Sequence, residues 1–241
     1  MRLALLADPH GNIDALREIM ASIREQGVDG VVCAGDICGY YYHQNEVIDL
    51  LRRDNLICIR GNHDRIFLEM LGGADYPAFV KQCGSSEQRL IRQIKRRNLA
   101  FLNKLTDVAV IKDEKIGIFH GSPRNPNERL YPDTPIGWLA STKSQLPRGP
   151  FSTRPSPQYR VIVLGHTHYP MNRTAGHMRV INPGSCGMPR HGGDPTYMVL
   201  DTKTRAVELI SVDYDRTTVL EEVERYDPGH PFLGGALLKG K

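Results

Sequence analysis

The sequence predicts an α/β fold, and three observations predict it. Short apolar runs of strand length alternate with amphipathic stretches of helical period from residue 2 to residue 64, in the order β-α-β-α-β. Each of these runs ends in a polar cluster, and ligands of open α/β sheets collect at the carboxyl ends of strands. Two later apolar runs, 116–119 and 160–164, end in clusters of the same kind.

The elements follow in chain order. Residues 2 to 7 are a continuous apolar strand apart from Arg2, and Asp8-Pro9-His10-Gly11-Asn12 turns the chain at its end. Apolar residues at 13, 16, 19, 20 and 23 line one face of a helix that Gly27 stops, with Asn12 and Asp14 starting it. Val31 to Ala34 is a second strand, ending at Gly35-Asp36. A helix from Asn45 to about Arg53 leads to a third strand, Leu56 to Arg60, ending at Gly61-Asn62-His63-Asp64. Residues 65 to 102 read as a helical insertion, broken at Gly72-Gly73 and Cys83-Gly84-Ser85 and placed to cap a site. Val108–Lys112 and Ile116–Phe119 pair as a hairpin that runs into His120-Gly121. Residues 121 to 158, rich in Pro, Gly, Ser and Arg, read as a loop around one short helix near Gly137 to Ser141. Arg160 to Leu164 is a strand ending at Gly165-His166-Thr167-His168, and Met178 to Ile181 is another, ending at Asn182-Pro183-Gly184-Ser185. A final hairpin (196–201 and 206–212) and a helix (217–226) precede a Gly/Pro-containing tail from about residue 227. The expected organisation is a single domain over residues 1 to 241.

The strand-end clusters supply Asp8, His10, Asp36, Asn62, His120, His166 and His168, enough ligands for two metal ions. Carboxylate, imidazole and amide oxygen suit Mn or Fe, with Zn or Ni as alternatives, and no thiolate cluster argues for structural zinc. A carboxylate shared by two ions holds them roughly 3.5 to 4 Å apart, where both act on one phosphoryl group. His63 adds a proton source and Asp64 a partner for it. Any one Asp or His after a strand is more simply a turn or capping residue. Here five clusters, holding five of the nine histidines, would have to coincide.

Composition narrows the setting. At 40% hydrophobic and 24% charged, the chain has the make-up of an ordinary globular protein. The apolar stretch at the N-terminus reaches Asp8 too soon for an export signal, and no run approaches the roughly 18 to 20 apolar residues of a membrane span. The expected location is therefore cytoplasmic, with no membrane partner. Five scattered cysteines without CxxC spacing read as reduced thiols, and Cys38 is not needed as a ligand. The net charge of +4 permits an anionic substrate without implying nucleic acid. The basic run Arg89–Arg97 is interleaved with Leu90, Ile91 and Ile94, which suits the solvated face of a helix.

Taken in order, Asp8-x-His10, Gly35-Asp36-x-x-Gly39, Gly61-Asn62-His63-Asp64, His120-Gly121 and Gly165-His166-x-His168 resemble the calcineurin-like metallophosphoesterase superfamily. The Asn182-Pro183-Gly184-Ser185 turn is similar to one in its small bacterial and archaeal phosphodiesterase branch. The resemblance spans about residues 1 to 215. It implies a four-layer α/β/β/α sandwich of two mixed sheets flanked by helices, with a dimetal site at one edge of the sheets. It further implies that Asp8, His10 and His168 hold one ion, that Asn62, His120 and His166 hold the other, and that Asp36 bridges. His63 would protonate the leaving oxygen, and Asp64 would orient it. The implied activity is hydrolysis of a small phosphodiester, phosphomonoester or nucleotide polyphosphate, by in-line attack of a metal-bridging hydroxide.

Where protein Ser/Thr phosphatases of that superfamily carry an arginine shortly after the GD pair, this chain has Ile37-Cys38-Gly39-Tyr40, which argues against a phosphoprotein substrate. Arg124, Arg190 and Tyr40 are candidate substrate contacts, the arginines for phosphate and the tyrosine for a stacked base. A metal-binding scaffold for protein contacts is the rival reading, against which stands the retained His63. A nuclease would need a basic groove. The 65–102 and 121–158 segments suit a lid or the interface of a homo-oligomer equally.

Overall fold

Alternation along the first strand sets the layering. A computed structural model describes residues 1–141 and 159–238. In its first strand, β1 (Arg2–Leu6), Leu3 and Leu5 join one buried cluster while Ala4 and Leu6 join another. A strand buried on both faces needs cover on both. Helices supply it on one side and a second sheet on the other.

The first sheet has the order β10 (Val207–Ser211), β9 (Thr196–Asp201), β1, β2 (Gly30–Cys33), β3 (Ile57–Cys58). Strands β1, β2 and β3 are parallel, while β9 and β10 run as an antiparallel hairpin on the β1 edge. The second sheet has the order β4 (Val108–Ile111), β5 (Ile116–Phe119), β6 (Val161–Val163), β8 (Met178–Pro183), β7 (Pro170–Ala175). Its three central strands are parallel and its two edge strands antiparallel. Between the sheets, Leu3, Leu5 and Val32 meet Ile118, Val163 and Ile181. Outside the first sheet lie α1 (Ile13–Glu25) and α2 (Gln44–Arg53), which bury Leu16, Ile19, Ile48 and Leu51 against it. Outside the second, Leu130 of the preceding loop and Leu139 on α7 (Ile136–Ser141) cover Phe119, Ile162 and Val180. The expected four-layer sandwich of two mixed sheets flanked by helices is the fold that forms.

The insertion resolves into α3 (Asn62–Leu71), α4 (Pro77–Cys83), α5 (Ser86–Gln93) and α6 (Arg96–Lys104), with breaks at Gly72 and Gly84 where the sequence places them. Helix α3 starts at Asn62, earlier than expected, because the Asp64 carboxylate accepts the Gly61 amide N–H at 2.9 Å and closes the first turn. Strand β7 is not anticipated by the sequence. It is an edge strand that opens on a proline, and its less exposed face carries Arg173 between Met171 and Ala175, so no apolar run marks it in the sequence. The expected C-terminal tail contains a helix, α9 (Pro231–Leu238), whose Leu233, Ala236 and Leu237 join a cluster with Tyr41, Tyr42 and Val223 of α8 (Thr217–Tyr226). Two adjacent glycines disfavour a helix there, so packing holds it. Of the Pro-rich loop, residues 142–158 lie outside the described residues, and α7 falls where the short helix is expected.

Candidate metal centre

The parallel strands deliver their C-terminal ends to one rim. Asp8 follows β1, Asp36 follows β2, Asn62 follows β3, His120 follows β5, and His166 and His168 follow β6. Asp8, His10, Asp36, His120 and His168 are buried. Among the described residues, nine non-glycine residues have positive φ, and six of them are Asp8, His10, Asp36, Tyr40, His166 and His168. Such left-handed backbone costs roughly 1 to 3 kcal/mol per residue and persists where the surrounding fold over-determines it, commonly at functional sites.

Two groups of side chains converge there. Asp8, His10, Asp36 and His168 offer ligand atoms that all lie within 4.8 Å of one another, and so do Asp36, His120 and His166. Asp36 belongs to both. Its Oδ2 lies 3.7 Å from His10 Nε2 and 3.2 Å from His120 Nε2, while its Oδ1 accepts the His63 amide at 2.8 Å. Asn62 Oδ1 lies 3.0 Å from His120 Nε2, which adds it to the second group.

The hydrogen bonds decide what these atoms are ready to bind. His10 Nδ1 donates to the Cys38 carbonyl at 2.8 Å and His168 Nδ1 to the Met188 carbonyl at 2.7 Å. Burial holds both imidazoles well below the ordinary histidine range, hence neutral. Their Nε2 atoms are therefore bare lone pairs, 3.1 Å apart. Two acceptors cannot bond each other, and a cation between them satisfies both. The Asp8 Oδ2 and His166 Nε2 atoms are buried without a partner, although His166 bonds the Asn127 backbone and Asp8 Oδ1 accepts the His166 amide at 3.0 Å. His120 Nδ1 donates to the Ala34 carbonyl at 2.8 Å.

Charge gives the same answer. Burial pushes the Asp8 carboxyl up to about 8. Burial opposes a charged His120, yet the charge and hydrogen bond of Asp36, the Asp8 charge and the Ala34 carbonyl together outweigh it and lift the imidazole to about 9. Burial, with the His120 charge, lowers His166 to about 4. The rim presents the neutral imidazoles of His10, His166 and His168 beside the Asp36 carboxylate and the Asn62 amide oxygen, a donor set of Asp, His and Asn that fits two divalent transition-metal ions.

His63 stands beside the ligands, its ring centroid 4.8 Å from that of His10 and 4.6 Å from that of Tyr40. Burial works against its charged form, but Asp36 and a hydrogen bond to Glu87 hold its pKa above the ordinary value. The sequence-based expectation that Asp64 orients His63 is corrected here. Both Asp64 oxygens accept backbone amides, Cys38 at 2.8 Å and Gly61 at 2.9 Å, because Asp64 sits in the first turn of α3. The partner of His63 Nδ1 is Glu87 Oε1, at 2.9 Å. No local motif marks Glu87, an acid at the start of a helix in an insertion.

The remaining candidates separate. Arg190 Nη2 donates to the Tyr40 hydroxyl at 2.8 Å, and its charge is felt by Asp8, His10 and His168. Tyr40 packs edge-on to His10 at 4.6 Å. Tyr41 and Tyr42 turn away, to the Leu233 carbonyl and the Asp227 carboxylate. The Arg124 guanidinium is engaged by Glu128 and stacks 4.3 Å from the Trp138 ring centroid. Among the described residues no helix is long and apolar enough to cross a membrane.

Comparison with known proteins adds independent findings. The family model of the calcineurin-like phosphoesterase superfamily domain matches residues 1–205. An uncharacterized protein of Methanocaldococcus jannaschii is 28% identical, covering 92% of this chain and 91% of its own. The crystal structure of a metallophosphoesterase from Sphaerobacter thermophilus aligns with a TM-score of 0.78 at 23% identity, over 100% of this chain and 99% of that one. A hypothetical protein from Pyrococcus horikoshii aligns with a TM-score of 0.81 at 22% identity, over 100% and 98%. At these identities the two solved structures speak for the fold.

Proposed function

Because the chain belongs to the calcineurin-like phosphoesterase superfamily, we propose that it is a dimetal-dependent hydrolase of a small phosphoester, with His63 as general acid. The observation that carries this reading is the Asp36 carboxylate shared between two ligand groups, with His63 against the first of them. Asp8, His10 and His168 would hold one ion, Asn62, His120 and His166 the other, and Asp36 both. Mn or Fe suits the set best, with Zn or Ni as alternatives. When bound, such ions polarise phosphoryl oxygens and lower the pKa of bound water.

The chain's own residues then have distinct tasks. Neutral His10 and His168 present lone pairs because the Cys38 and Met188 carbonyls take their other ring protons. Buried walls keep bulk water from competing for the same positions. His63, its Nδ1 engaged by Glu87, is left with Nε2 to protonate a leaving alkoxide, a task suited to imidazole. Arg190, beside Tyr40, adds positive charge for a phosphoryl group at the mouth of the site. A phosphodiester, a phosphomonoester or a nucleotide polyphosphate is the substrate class this arrangement serves.

The test is hydrolysis of bis-p-nitrophenyl phosphate and p-nitrophenyl phosphate by metal-stripped protein, reloaded separately with Mn, Fe, Ni, Zn or Mg. Metal-dependent turnover is expected, and the ratio of diester to monoester rates assigns the substrate class. His63→Ala should lose roughly 100- to 10,000-fold in kcat while keeping its metal content. Protein that holds two ions and turns over neither ester would sink the reading in favour of a metal-binding scaffold.

A further inference from the structure

Four of the five rim histidines spend a ring N–H on the backbone, at Cys38, Ala34, Met188 and Asn127, as metal-ligating imidazoles do. His63 differs, because its Nδ1 faces a carboxylate. Glu87 is fully buried in the first turn of α5 and places Oε1 2.9 Å from His63 Nδ1, while Oε2 accepts the Ser86 hydroxyl at 2.8 Å. A buried carboxylate is costly unless its partners are well placed, and here they are a neighbouring hydroxyl and the histidine.

Two further features keep this contact in place. Gly39, at φ +103°, leaves the space in which the pair meets. A Cβ there would lie 2.4 Å from His63 Nδ1 and 3.0 Å from Glu87 Oε1. The start of α5 is anchored from outside the insertion, since Ser85 gives its amide and its hydroxyl to Asp227 at 2.9 and 3.0 Å.

We propose that Glu87 is the positioning residue of His63, an inference that rests on the phosphoesterase reading above. It accepts the Nδ1 proton, fixes the ring with Nε2 toward the leaving group, and stabilises the imidazolium. As water oxygen bonds to phosphorus and the bond from phosphorus to the leaving oxygen breaks, that oxygen takes the Nε2 proton. His63 is left neutral with Nδ1–H still on Glu87, and solvent returns a proton to Nε2. The helical insertion thus contributes to the acid step in addition to covering the rim.

The test compares wild type, Glu87→Gln and Glu87→Asp, each loaded with zinc, on methyl aryl phosphodiesters running from p-nitrophenyl to phenyl. A good leaving group needs little protonation and a poor one needs much. Glu87→Gln should therefore lose roughly 10- to 1,000-fold in kcat on the phenyl ester and clearly less on the p-nitrophenyl ester, with KM and metal content unchanged. Glu87→Asp should recover part of that loss. Equal loss on both esters, or none, overturns the inference while leaving the phosphoesterase reading intact. Wild type that turns over no ester overturns that reading itself. A second measurement needs no substitution of Glu87. Long-range proton–nitrogen spectra of zinc-loaded wild type, with His63 assigned by its loss in His63→Gln, should show Nδ1 protonated. A bare Nδ1 overturns the proposal even if the Glu87 variants fail to fold.

Discussion

At the scale of residues, the rim is ordered by which ring nitrogen each histidine spends on the backbone. The carbonyls of Cys38, Ala34 and Met188 take Nδ1–H and so turn Nε2 of His10, His120 and His168 inward. Asp36 lies where the two groups meet, and its Oδ1 is already engaged by the His63 amide. Substitutions should therefore differ in metal stoichiometry. Asp36→Asn, which weakens a ligand common to both groups, should lose both ions on desalting, whereas His168→Ala should lose one. Elemental analysis of the desalted proteins decides it, and an Asp36→Asn protein that retains both ions would contradict the shared-ligand geometry. The residue types of this site are legible in the sequence, because each ligand follows a recognisable strand. Glu87 is not legible, since it meets His63 across 24 positions and only the fold of the insertion brings it there.

At the scale of elements, the insertion is fastened to the sandwich by a small charge network. Asp49 of α2 accepts Arg97 of α6 at 2.7 Å and Lys95 at 3.1 Å. Hydrogen bonding from Arg97 comes first among the causes that lower its carboxyl to about 2, from an ordinary 3.8. A carboxylate depressed on folding adds stability above its unfolded pKa, and the contribution is lost as pH falls toward the folded one. The network is partly solvated, so it is worth about 1 kcal/mol or less. Asp49→Asn should be less stable than wild type by that amount at pH 6, and the gap should narrow by pH 3. Urea denaturation at the two pH values checks this, and a gap that stays constant or widens toward pH 3 would rule the network out as its cause. The basic run Arg89–Arg97 shows why a charged segment need not be a binding patch. Arg97 and Lys95 spend their charge on Asp49, and Arg89 stacks 3.7 Å from the Tyr226 ring centroid.

At the scale of the whole molecule, the two sheets hold the rim together because the ligands come from both. Asp8, Asp36 and Asn62 follow strands of one sheet, and His120, His166 and His168 follow strands of the other. The apolar layer between the sheets sets their separation. Leu5 is fully buried in that layer, while Leu209 on β10 is 49% exposed. Leu5→Ala should cost roughly 2 to 5 kcal/mol by loss of contact and cavity formation. Leu209→Ala, by contrast, should stay within about 0.5 kcal/mol. Denaturant midpoints of the two variants make the comparison, and similar losses would mean that the layer between the sheets is not the main core.

The sequence by itself determined the order of elements and the residue types at the strand ends. Period-2 and period-3.6 apolar patterns act over a few neighbouring positions, and a strand end is where a turn must expose polar groups. It also carried the motif order that resembles the superfamily, which the family match over residues 1–205 bears out. Only the tertiary structure decided that Asp64 serves the first turn of α3 while Glu87 serves His63, that Tyr40 faces the rim while Tyr41 and Tyr42 face α9 and Asp227, and that residues 231–238 form a helix. Each of these depends on which of several equally available partners comes within hydrogen-bonding or packing distance. Segments far apart in the chain settle that choice only when they pack.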